Sequence, residues 1–108
     1  MVTATAKNAI AETVQGLVDL GIETSFTEKE LNTLGIKIKP VEITPQQIRA
    51  VRLQRKLSQA VFAKVLNVSA SSVRQWEQGQ RRPTGATKVL LELLQRDPTI
   101  LDYRLTHH

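Results

Sequence analysis

The chain has 108 residues, a formal net charge of +5 and a pI of about 10.0. That length fits one domain plus an arm, with a core small enough that pairing with a second copy helps it. There is no cysteine, which excludes disulfides and thiolate metal sites. No apolar run approaches the roughly 20 residues of a spanning helix, and the start lacks the basic-then-apolar pattern of a signal peptide.

These bounds lead to the expectation of a soluble, cytoplasmic protein with no membrane partner. A basic balance favours an anionic partner. Enzymatic constellations are missing: no cysteine nucleophile, no glycine-rich phosphate loop, and no histidine outside the final pair, His107 and His108. We therefore expect no catalytic residue, no metal and no cofactor. The charge is divided along the chain. Residues 1–43 carry four lysines against six acids, net −2, whereas residues 44–108 carry eleven Lys or Arg against four acids, net +7. Only the second part has the footprint of a nucleic-acid binder.

In chain order, residues 1–5 read as a frayed start. Ile10, Val14, Leu17 and Val18 then recur at i, i+4, i+7 and i+8, one stripe of an amphipathic helix that Gly21 stops. That stripe either packs on the protein's own core or meets a partner. Thr27 and Glu30 have the spacing of a capping box, with Phe26 and Leu31 placed as a hydrophobic staple. Ile36 to Lys39 alternates and Pro40 closes it, which predicts an extended linker or an edge strand. Arm and linker thus occupy residues 1–43, and the domain residues 44–108.

From Thr44 the signals sharpen. Thr44 caps and Pro45 opens a helix running to about Lys56, with Ile48 and Val51 inward. Ser58 caps a second helix, Gln59 to Leu66, burying Val61 or Phe62 together with Ala63 and Leu66. Asn67 tolerates the left-handed conformation and can turn the chain. Ser69 caps a third helix, Ala70 to Gln78, with Val73 and Trp76 inward, and Gly79 ends it. A basic loop, Gln80 to Pro83, leads to a leucine-rich helix from about Thr84 to Gln95. Asp97-Pro98 breaks that helix, and Thr99 to Tyr103 offers a last helical turn.

The set Leu57 to Ala63, Leu66 to Ser69, Val73, Trp76 to Gly79 and Arg82-Pro83 resembles the Cro and phage-repressor type of helix-turn-helix, the Xre family. The resemblance covers about residues 44–96. One departure is Asn67, where the family often has glycine. The resemblance implies an all-α, five-helix, lambda-repressor-like domain, preceded here by the short helical arm and linker. Ala63 lets the two helices of the motif close, Val68 plugs the core at the turn, and Val73 and Trp76 anchor the second helix. That recognition helix would enter a DNA major groove about 12 Å wide.

Roles follow from the resemblance. Gln59 would hold a phosphate and brace the base-reading residues. The recognition helix would face the bases with Ser69, Ala70, Ser71 and Ser72, then Arg74 and Gln75. Ala70 could touch only a thymine methyl, so direct reading falls on Ser71, Arg74 and Gln75. Lys64, Arg81 and Arg82 would contact phosphates. Arg52 and Glu77 would form a partly buried ion pair. Trp76 and Phe62 could be read as base-stacking residues, but core aromatics are far commoner.

The surplus leucines of the last helix suggest a symmetric dimer through Leu90, Leu91, Leu94, Ile100 and Leu101. The whole layout resembles antitoxins of the HigA type, including the NadS-like group, most of all in the stretch Leu90 to Leu101. That resemblance implies a homodimer that binds double-stranded operator DNA, neutralises a RelE/HigB-like ribonuclease toxin, and represses its own operon. The alternatives are a stand-alone Xre-family regulator and an interaction module that has lost its DNA affinity.

Overall fold

The computed structural model describes residues 25–107 and, before them, residues 11–13, 15, 16 and 19. Those six arm residues are helical and exposed, and Gln15 donates to the Asp19 carboxylate at 2.7 Å, one turn on. The frayed start, the stripe of Ile10, Val14, Leu17 and Val18, the Gly21 stop and His108 lie outside the described residues. The chain divides into two compact units between Lys39 and Pro40.

In the first unit, α1 spans Glu28–Thr33. The Thr27 hydroxyl oxygen accepts the Glu30 N–H at 3.2 Å, as the capping spacing predicts. The reciprocal bond differs. The Thr27 hydroxyl donates to the Glu30 carboxylate at 3.1 Å, in place of the Thr27 N–H. Phe26 and Leu31 are half-buried. Gly35, at φ +78, ends the helix, and the Ile36 N–H closes on the Leu31 carbonyl at 2.8 Å. Residues 36–44 form no strand, since no second extended segment among the described residues pairs with them.

The second unit contains α2 (Pro45–Gln54), α3 (Gln59–Leu66), α4 (Ala70–Glu77) and α5 (Gly85–Arg96), followed by a 3-10 turn over Asp102–Arg104. The fifth helix expected from sequence is thus only this turn. The complete capping box lies at α2. Gln47 Oε1 accepts the Thr44 N–H at 2.8 Å, and Thr44 Oγ1 accepts the Gln47 N–H at 3.1 Å. Helix α2 stops at Gln54 because Lys56 swings to φ +57 and the Leu57 N–H closes on the Arg52 carbonyl at 3.2 Å. Ser58 caps α3 through the Val61 N–H at 3.1 Å, and Ser69 caps α4 through the Ser72 N–H at 3.0 Å. Between them Asn67 takes φ 61, ψ 44, and the Val68 N–H returns to the Ala63 carbonyl at 2.9 Å. Thr84 precedes α5 without a side-chain cap.

Helix α3 packs on α4, and α2 packs on α4 and α5. Their shared core is Ile48, Val51, Phe62, Ala63, Leu66, Val73, Trp76, Leu91 and Leu94, with Ile43, Leu57, Val68, Leu90 and Leu101 packed against it. Phe62 takes the inward place on α3 and Val61 faces out. Ile43 packs on this core, and the Glu42 N–H donates to the Glu92 carboxylate at 3.0 Å, so the end of the linker packs with the domain. Behind α5, Asp102 pairs with Arg55 and fastens the 3-10 turn to the end of α2.

The dimer role expected for Leu91 and Leu94 needs correction. They are 1% and 3% exposed and belong to the domain's own core. Leu90 and Leu101 are half-buried against it. The helical period explains this: positions 91 and 94 lie three apart on the inward side, while Val89 and Leu93, four apart, point outward at 50% and 40% exposure.

The αL turn gives a direct test. Asn67→Gly is expected to leave unfolding unchanged within about 0.5 kcal/mol, whereas Asn67→Val, which adds β-branching at positive φ, costs roughly 1–2 kcal/mol. Urea denaturation of both variants checks this; equal midpoints would mean that the turn is not held in this geometry in solution.

Candidate nucleic-acid interface

The interface is built on one buried ion pair. Arg52 enters from α2, and Glu77 closes α4 from the last helical position. Arg52 Nε donates to Glu77 Oε2 and Arg52 Nη2 to Glu77 Oε1, both at 2.7 Å. The third arm of the guanidinium, Nη1, donates to the Leu57 carbonyl at 3.0 Å, in the loop before α3. The side chains are only 11% and 5% exposed. One planar cation therefore joins α2, the entry to α3 and the end of α4. Such two-pronged pairing suits Arg and not Lys.

Gln59 adds a fourth element. Its Nε2 donates to Glu77 Oε1 at 3.4 Å, so its brace falls on the ion pair. The same amide nitrogen retains a second N–H for a phosphate. The spacing of the motif gave Gln59 its place but not this partner.

The electrostatics follow. The hydrogen bonds from Arg52 to Glu77 hold the guanidinium above its ordinary range, against desolvation. Burial pushes the Glu77 carboxyl up. The hydrogen bonds from Arg52 and Gln59, with the charges of Arg52 and Arg49, outweigh it and hold the group below the usual carboxylate range.

On α4 the outward residues divide into two sets. Ser69 Oγ and Ser72 Oγ hydrogen-bond each other at 2.8 Å, and Ser69 also caps the helix. Those two hydroxyls hold the helix start together, and one of their two O–H groups stays free to donate elsewhere. Ala70, Ser71 and Arg74 are exposed and Gln75 is half-buried beside them. The Gln75 carbonyl accepts the N–H groups of Gln80 and Arg81 at 3.0 and 3.3 Å, which roots the basic loop on α4. Sequence spacing gave no sign of that backbone link. Phe62 and Trp76 are 2% and 5% exposed and belong to the core, which rules out base stacking.

Lys64 is exposed on α3, and Arg81 and Arg82 are exposed in the loop after α4. Among the described residues the two ion pairs are Arg52–Glu77 and Arg55–Asp102, so these three cations have no carboxylate partner. Arg81 and Arg82 line a cavity of about 190 Å³ with Ser72, Thr84 and Thr87. Among the described residues no group of three or more His, Asp or Glu side chains could hold a metal ion.

Two measurements test the pair. Removing one partner of a buried ion pair strands the other charge, so Arg52→Ala should cost about 3–5 kcal/mol in urea unfolding. An unchanged midpoint would sink the structural role. In acid, the unfolded Glu77 carboxyl has a pKa of about 4.3 and the folded one lies lower, so the unfolded chain binds protons first. The pair's contribution is full above that value and is lost as pH falls through the folded pKa. Glu77→Gln should therefore flatten the acid limb of the stability curve.

Residues 48–98 match the family model described as Helix-turn-helix. Antitoxin HigA-2 of Vibrio cholerae is 38% identical over 63 residues, which is 58% of this chain and 61% of that relative. The match thus spans less than two thirds of the relative's length. No helix among the described residues is long and apolar enough to cross a membrane. The capped turn at Asn67 and the helix that follows it thus lie inside the segment that matches the Helix-turn-helix model.

Proposed function

We propose that the chain is a sequence-specific repressor that binds double-stranded operator DNA as a homodimer. We further propose that it is a type II antitoxin, neutralising a RelE/HigB-like ribonuclease toxin and repressing its own operon. One observation carries the DNA reading. Ser71, Arg74 and Gln75 lie on a helix locked by the Arg52–Glu77 pair, with Lys64, Arg81 and Arg82 uncompensated nearby. Phosphate contacts by such cations give affinity and register, and base contacts give sequence. The toxin reading is supported by the likeness to Antitoxin HigA-2 and by the division of charge, since an arm of net −2 suits a basic protein partner.

For the dimer, the outward Val89 and Leu93 of the last helix replace the inward Leu91 and Leu94, and Ile100 keeps its place. Val89 and Leu93, with Ile100 beyond, are exposed apolar residues that a two-fold partner would cover. The two recognition helices would then meet half-sites about 34 Å apart. Leu93→Asp is expected to give a monomer in sedimentation, and a dimer surviving that change would move the interface elsewhere.

A gel shift with DNA from upstream of the gene tests the repressor, with salt varied between about 50 and 200 mM. Ser71→Ala and Gln75→Ala should each weaken operator binding roughly tenfold and leave random DNA unaffected. Arg81→Ala should weaken both DNAs alike and lower the salt slope by about one. Wild-type binding to operator no tighter than to random DNA would defeat the reading. Co-purification with the protein encoded beside the gene tests the toxin partner; its failure alongside specific DNA binding leaves a stand-alone regulator.

A further inference from the structure

A second, larger depression lies between the end of the linker, α2 and the basic loop after α4. It is a groove of about 470 Å³, a size that suits a short peptide segment or a small ligand. Its floor is apolar, formed by Trp76 and Pro83, both buried, and by the half-buried Val41 and Ile43 of the linker. Its cations are Arg81, Arg82 and Lys88, none of which has a carboxylate partner among the described residues. Glu42 is the one acid in the lining, and its backbone N–H is held by Glu92. An apolar floor beneath three unpaired cations is the complement of a segment bearing both apolar and acidic side chains. The wall at residues 41–44 is irregular backbone, beside which a peptide could run.

We infer that this groove docks an acidic, apolar-bearing peptide segment of a partner protein, and that its occupation opposes DNA binding. The second half rests on the DNA reading above. Arg81 and Arg82 line both this groove and the smaller cavity with Ser72 and Thr84. A guanidinium engaged by a peptide carboxylate is withdrawn from a phosphate. Occupant and operator therefore compete for the same two side chains, without any change of fold.

The chain carries its own reporter, because Trp76 is its single tryptophan and part of the groove floor. The probe is a blocked nine-residue peptide alternating Leu and Glu, with a second in which every Glu is Lys. The acidic peptide should change Trp76 fluorescence saturably and the basic one should not. Lys88→Glu should weaken the acidic peptide roughly tenfold, as expected for a lost charge complement, and unfold at the wild-type temperature. In a parallel titration, the acidic peptide should raise the apparent Kd for fluorescent operator DNA in proportion to its occupancy. Equal responses to both peptides, or none to either, would overturn the groove whether or not DNA binds. Groove binding with undiminished operator affinity would overturn the competition alone. If operator DNA itself is not bound, the DNA reading fails while the fluorescence result still judges the groove.

Discussion

The domain depends on one planar cation placed where three elements meet. Arg52 spends all three nitrogens at once, two on the Glu77 carboxylate and one on the Leu57 carbonyl. Its own helix is short, and so are the two it joins, at ten, eight and eight residues. Helices of that length have little stability alone and rely on packing and caps. The pair's net energy is modest, because two charges leave water to form it. What it supplies is angle: with Glu77 pinned, α4 has one orientation on the core, and its outward residues have one direction.

The polar devices around the pair work at short range and in series. Ser58 and Ser69 cap successive helices, Asn67 turns the chain between them, and Gln59 reaches from the first position of α3 to the pair. The hydroxyls of Ser69 and Ser72 share one hydrogen bond. Beyond them the outward side of α4 carries the methyl of Ala70, the hydroxyl of Ser71, and the longer Arg74 and Gln75. A surface so sparing in donors makes the flanking cations a large share of any affinity, and such affinity is sensitive to salt.

Much of this was legible in the sequence, for physical reasons. Helix starts were marked by Thr44, Ser58 and Ser69 because capping chemistry is local, and α3 ran over Gln59–Leu66 as the caps required. Asn67 and Gly79 marked turns because few residues accept positive φ. The leucine-rich helix was harder. Five apolar residues among six positions, Val89 to Leu94, satisfy several helical faces, and only the packing of α2 and the Leu101 turn decides that Leu91 and Leu94 go inward. Of the two readings of residues 36–43, linker and edge strand, the strand failed because alternation is a local pattern, whereas a strand needs a neighbour. The root of the basic loop on the Gln75 carbonyl is a backbone event with no side-chain signature. The groove was invisible for a different reason: residues 41, 76 and 88 are brought together by the fold alone.

The place of Leu101 and Asp102 also sets an order in time. The core draws on Leu91, Leu94 and Leu101, and the tie from Asp102 to Arg55 closes it. During synthesis the arm up to Lys39 leaves the ribosome first, and about sixty further residues must follow before the last core residue exists. At roughly 5–20 residues per second, that interval is several seconds. Throughout it the arm is already available to other molecules in the cell, while the part that would meet DNA has yet to acquire its shape.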